Sequence, residues 1–79
     1  MANTGFDQTL FKIDASQNMQ RFYSTDIQPN LFGGHSLMRT WGRIGSAGQT
    51  RIDFFENEEA AFKASDLLFI LKRKRGYLT

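Results

Sequence analysis

The segment Gly45-Ser46-Ala47-Gly48 lies between two runs, His35 to Ile44 and Gln49 to Phe55, that carry strand-forming residues. Two such runs joined by a short glycine-flanked turn predict an antiparallel hairpin with strands over 35–44 and 49–55. Immediately afterwards Asn57 offers an N-cap oxygen, Glu58 and Glu59 place negative charge at a helix start, and helical sequence continues to about Lys74 before Gly76. A hairpin that feeds a single long helix already narrows the fold to a sheet with one helical cover.

Earlier in the chain, Thr9 to Asp14 places Phe11 and Ile13 on one face and Lys12 and Asp14 on the other, a first strand. The polar turn Ala15-Ser16-Gln17-Asn18 leads to a second strand over Met19 to Ser24. Asp26 to Gly34 holds the only proline, Pro29, and the Gly33-Gly34 pair, which together predict a loop. On the helix, Ala60, Ala61, Ala64, Leu67, Leu68 and Leu71 fall in one arc and predict the core-facing stripe. Phe62 and Phe69 flank that arc, and Ile70 lies nearly opposite it, either as an ordinary exposed isoleucine or as part of a partner surface. The expected architecture is α+β: a small antiparallel β-sheet of about four to five strands with one long α-helix packed on one face.

Seventy-nine residues make one domain over 1–79 and leave no second lobe for an interdomain cleft, which argues against most stand-alone enzymes. A chain that is 41% hydrophobic and 14% aromatic folds rather than remaining disordered. With no cysteine and one histidine, neither a disulfide framework nor a usual zinc site is expected, and no cofactor is implied. No apolar run approaches membrane-spanning length, and Met1-Ala2-Asn3-Thr4-Gly5 lacks a basic leader. A cytoplasmic protein that is monomeric and makes no membrane contact is the expectation.

Catalytic motifs are missing. His35 has no sequence neighbour marking it as the partner of a nucleophile, and the Gly45 to Gly48 turn lacks the lysine and hydroxyl of a phosphate-binding P-loop. The charge pattern says more. The net charge is +2, but residues 1–38 carry −1 and residues 39–79 carry +3, concentrated in Arg39, Arg43, Arg51 and the run Lys72-Arg73-Lys74-Arg75. Such clustering suits a polyanionic partner. The basic run reads first as charge stabilising a helix C-terminus, then as phosphate contact, and last, in form only, as a nuclear-import signal.

Strand alternation places Arg39, Trp41 and Arg43 on one face. An indole flanked by guanidiniums can stack on a base or sugar while gripping phosphate, as binding to a nucleic-acid end or single strand requires, and Gly42 would let a ligand backbone approach. The pattern alone leaves open that Trp41 is instead a core aromatic between solvated arginines.

The stretch Trp41-Gly42-Arg43-Ile44-Gly45-Ser46-Ala47-Gly48-Gln49 resembles the signature of the WGR domain family. Upstream, Asn18 followed by Arg21-Phe22-Tyr23 resembles the family's second strand. Downstream, Phe55-Glu56-Asn57-Glu58-Glu59-Ala60-Ala61 resembles its helix entry and Gly76-Tyr77 its close, so the resemblance covers nearly the whole chain. This family occurs as the break-sensing module of poly(ADP-ribose) polymerases and in small bacterial proteins. The resemblance implies that Trp41 stacks at a DNA terminus, that Arg43 contacts DNA or a neighbouring domain, and that Asn18, Gln20 and Arg21 lie near the 5′ phosphate. Here Thr40 replaces the arginine that the polymerases carry before the tryptophan, with Arg39 as a candidate substitute. No transferase segment follows, so the expectation is a non-enzymatic sensing module that binds DNA ends, nicks or single-strand junctions. The alternative is a protein-interaction module using the Arg39, Trp41, Arg43 surface or a ridge of Phe62, Phe69 and Ile70.

Overall fold

A computed structural model describes residues 6–79. The first five residues, read above as lacking a leader, lie outside the described residues. Four strands, β1 (Phe6–Asp14), β2 (Met19–Pro29), β3 (His35–Arg43) and β4 (Gln49–Phe55), precede one helix, α1 (Glu58–Lys74). They form an antiparallel meander in the order β1-β2-β3-β4. The α+β architecture read from the sequence is therefore observed, and a short return of the tail, where Phe11 and Leu78 exchange backbone hydrogen bonds of 2.6 and 2.7 Å, approaches a fifth strand.

Both strands of the second hairpin fall where the glycine turn predicts them, β3 ending one residue early. Gly48 has φ +74°, and a Cβ there would collide with the Trp41 carbonyl oxygen, so only glycine closes this turn. The first hairpin is longer than expected. Asp26 to Pro29, read as loop, continues β2, because Ile27 pairs with Leu37 and both are buried. Pro29 is tolerated as the last strand residue. The true loop spans 30–34, where the Asn30 side-chain oxygen accepts hydrogen bonds from the Phe32 and Gly34 amides at 2.8 and 3.1 Å.

The helix begins as predicted, with the Asn57 side chain accepting from the Ala60 amide at 2.8 Å. It closes with Gly76 at φ +98°, the Gly76 amide donating to the Arg73 carbonyl and the Tyr77 amide to the Lys72 carbonyl. That left-handed turn sends the tail back across the sheet and buries Tyr77.

The buried face of α1 is rotated from the expected stripe. Ala61, Ser65 and Phe69 are buried, Ala60, Ala64 and Leu68 are half-buried, whereas Leu67 and Leu71 are 63% and 56% exposed. Two contacts set this rotation. Ser65 Oγ and the buried Thr25 Oγ1 share a hydrogen bond of 3.1 Å, and Phe69 meets Tyr23 edge-on with ring centres 6.0 Å apart. The supposed Phe62, Phe69, Ile70 ridge is accordingly not a surface: Phe69 faces the core and Phe62 is half-buried. One core cluster joins Ile27, Leu37 and Ala61; the other joins Leu10, Tyr23, Phe69 and Tyr77, with Trp41 and Leu68 packed against it.

Candidate nucleic-acid interface

Register brings the functional side chains together row by row. On the face that α1 covers, Leu10, Tyr23, Trp41 and Gln49 form one cross-strand row, and Lys12, Arg21 and Arg43 form the next toward the sheet's end. Like charges directly opposite one another are destabilising in a sheet, so these three adjacent cations concentrate positive potential at an energetic cost to the fold. Among the described residues, no ion pair within 4 Å holds Lys12, Arg21, Arg43, Lys72 or Arg75.

A cleft of about 420 Å³ opens here, with Asn18, Arg21, Trp41, Arg43, Lys72 and Tyr77 in its walls. A second of about 300 Å³ lies beside it, between Arg39, Leu68, Leu71 and Arg75, with Trp41 and Lys72 shared by both. Trp41 is half-buried: it packs on the core cluster and still borders both clefts, so the two sequence readings of this residue describe two parts of one side chain.

The turn before β2 is held by Asp14, whose carboxylate accepts from the Ser16 hydroxyl at 2.6 Å and the Ser16 amide at 3.1 Å. The Ser16 hydroxyl bond keeps the Asp14 carboxyl below the usual carboxylate range. Asn18 follows in the left-handed conformation, φ 51° and ψ 43°, and its carbonyl accepts a 3.3 Å hydrogen bond from Arg43 Nη1. This bond ties the exposed Arg43 side chain to the lip of the cleft.

Not every residue singled out in the sequence converges here. Gln20 pairs with Ile13 on the opposite face of the sheet and does not line the cleft. Arg39 borders the second cleft, where its Nη2 donates to Asp53 Oδ2 at 3.3 Å while Arg51 Nε donates to Asp53 Oδ1 at 3.2 Å. One carboxylate thus partly compensates both arginines. Thr40 faces away and shares a 3.2 Å hydrogen bond with Thr50, and Arg39 meets Trp41 in the second cleft rather than the first. The side-chain space that Gly42 leaves open is filled by the chain itself: a Cβ would lie 2.8 Å from the Gly48 Cα.

Lys72 and Tyr77 were not picked out as site residues. Both are distant from Trp41 in sequence and reach it only because the helix end and the returning tail fold over the sheet. The basic run and the Gly76-Tyr77 pair were the available signals. Lys72 Nζ sits 4.8 Å from the Tyr23 ring centre and 5.2 Å from that of Tyr77. Burial, then the charges of Arg75, Arg21, Arg39 and Lys12, hold its pKa below the ordinary lysine value of 10.5. Burial likewise pushes the Tyr23 phenol up, opposed in part by adjacent Arg39. Among the described residues there is no cluster of His, Cys, Asp or Glu able to hold a metal, and no helix long and apolar enough to cross a membrane.

Comparison with known proteins bears on the family and the fold. The family model of the WGR domain matches residues 6–79. The chain is 48% identical over 66 residues to the uncharacterized protein y4dW of Sinorhizobium fredii, covering 84% of this chain and 32% of that protein. It is 35% identical over 63 residues to the uncharacterized protein YfeS of Escherichia coli, covering 73% of this chain and 26% of that one. A crystal structure of a Bacteroides fragilis protein superposes with a TM-score of 0.77 at 27% identity, over 92% of this chain and 19% of that chain. The chain therefore spans a third or less of the length of these relatives.

Proposed function

The chain belongs to the WGR domain family, whose members are in general nucleic-acid-binding modules and are non-catalytic by themselves, and from that premise we propose that it binds DNA ends, nicks or single-strand junctions. The observation that carries this reading is the row Lys12, Arg21, Arg43, without an ion pair within 4 Å among the described residues, beside the half-buried indole of Trp41, with Lys72 facing it from the helix. A smooth duplex offers its stacked bases no partner here; a terminus exposes a base or ribose to the indole while its phosphate meets the cations. Asn18, at the lip, adds a polar side chain within the same cleft.

The test is a titration of 5′-phosphorylated nicked duplex against a blunt, unphosphorylated hairpin. The nicked duplex should bind more tightly, and Trp41→Ala should remove most of that preference. Because Trp41 also packs on the core, Arg21→Gln serves as a second variant that leaves the packing intact. Equal binding to both DNAs, unchanged by either substitution, would overturn the proposal. A protein-docking reading rests on Leu67 and Ile70, which are exposed on α1 away from both clefts. It predicts backbone shift changes there on adding a partner, whereas DNA should shift Asn18, β3 and Lys72.

A further inference from the structure

The two edges of the sheet are treated differently. The outer edge of β1 is occupied by the tail, through the paired hydrogen bonds between Phe11 and Leu78. The outer edge of β4 has no such cover: none of the backbone hydrogen bonds made outside the sheet among the described residues involves residues 49–55. Edge strands are usually protected by proline, charged side chains, a bulge, shortness or a covering element. β4 is seven residues long, contains no proline, and pairs with β3 without a break in register from Gln49 to Phe55, and its two charged residues, Arg51 and Asp53, are of opposite sign. Its outward side chains are also incompletely covered, with Ile52 48% and Phe54 73% exposed on the face away from α1.

The sequence of this edge, Gln49-Thr50-Arg51-Ile52-Asp53-Phe54-Phe55, is complementary to itself. In an antiparallel pairing centred on Ile52, Arg51 falls opposite Asp53 of a second copy, and Asp53 opposite its Arg51. Ile52 meets Ile52, and Thr50 meets Phe54 on the same face. Opposite charges directly across a strand pair are favourable, whereas a shift of one residue would mix the apolar and charged faces. We propose that two copies of this chain join β4 to β4 in this register, forming one continuous eight-stranded sheet, in place of the monomer expected from sequence.

Pairing about a two-fold axis normal to the sheet keeps corresponding faces on the same side. Both Trp41 clefts then open on the face that carries the helices. With ordinary strand spacing and rise, the two Trp41 positions are roughly 25 Å apart, so a dimer presents two basic clefts to one nucleic acid or to two.

The chain has no cysteine, which makes cross-linking unambiguous. Ile52→Cys should oxidise to a covalent dimer at least about tenfold faster than Thr50→Cys or Phe54→Cys alone, because only position 52 meets itself within disulfide reach. An equimolar mixture of Thr50→Cys and Phe54→Cys should cross-link as the heterodimer. For the unmodified chain, sedimentation should show concentration-dependent dimer at tens of micromolar, on the order expected for a small interface. Arg51→Asp should weaken that association at least about tenfold by placing two acids opposite each other, with its thermal melt confirming that it folds. Equal oxidation rates at positions 50, 52 and 54, or a chain that stays monomeric to ~200 μM, overturns the proposal.

Discussion

The layer between α1 and the sheet has two ends with opposite chemistry. Near the start of β3, Ile27, Leu37 and Ala61 are buried together with Phe55 and Phe62 against them. Near its end, the aromatic cluster of Leu10, Tyr23, Phe69 and Tyr77 is bordered by Trp41 and then by the cation row Lys12, Arg21, Arg43, with Lys72 above. The first end is what a stable small domain requires, apolar area removed from water, and the charge beside it, Asp53 opposite Leu37, is paired with Arg39 and Arg51. The second places like charges side by side and half-covers a lysine, arrangements that oppose folding. Local features that conflict with stability are the ones expected at a binding surface; Arg39 and Arg51 also lie opposite one another but share Asp53, whereas Lys12, Arg21 and Arg43 have no ion pair within 4 Å among the described residues.

Core truncation tests this division most severely. Leu37→Ala should destabilise the domain by about 2–5 kcal/mol, the usual range for a buried leucine, measured by urea unfolding. At low temperature, where the variant still populates the folded state, its relative affinity for nicked and hairpin DNA should equal that of the parent. A change in that ratio would mean that the two ends are coupled and the division is wrong.

Much of this contrast was visible in the sequence because it depends on local alternation. The glycine turn located β3 and β4, and parity along β3 put Arg39, Trp41 and Arg43 on one face, as observed. What escaped depends on long-range contacts. The cation row exists only because β1, β2 and β3 adopt one register, which brings Lys12 and Arg21 to Arg43. Ser65 was passed over as a core residue because its burial needs Thr25, forty residues away, to satisfy its hydroxyl. The same bond turned the helix and exposed Leu67 and Leu71. The family resemblance carried Gln20 to the site together with Arg21, yet adjacent strand residues point to opposite faces.

A milder perturbation sharpens the basic end. Arg21→Gln removes the central cation of the row and should lower the magnitude of the logarithmic salt slope by about one, as loss of one phosphate contact does. Relief of the opposed charges should also raise stability, by about 0.2–1 kcal/mol. Gain of stability with loss of DNA affinity is the outcome specific to a row retained for binding. Arg43→Gln should gain less, since Arg43 also donates to the Asn18 carbonyl. Loss of stability in Arg21→Gln would show that the arginine serves packing instead.

The smallest effect concerns the Lys72 proton. Its pKa in the folded chain lies below the ordinary 10.5, first through burial and then through Arg75, Arg21, Arg39 and Lys12. The unfolded chain lacks these influences, so between the two values it binds more protons than the folded one. The Lys72 contribution to stability is therefore least favourable at neutral pH and improves as pH rises through the interval just below 10.5. Binding should respond in the opposite sense. A phosphate beside Lys72 favours the ammonium, so complex formation takes up a proton wherever free Lys72 is partly neutral, and affinity should fall by a few-fold across that interval. Lys72→Arg keeps the charge at every accessible pH. Comparing the two proteins from pH 7 to about 10 cancels titrations elsewhere in the chain, and the arginine variant should hold its affinity where the parent weakens. Parallel curves would place Lys72 outside the bound surface and reduce the basic end to the three cations of the sheet.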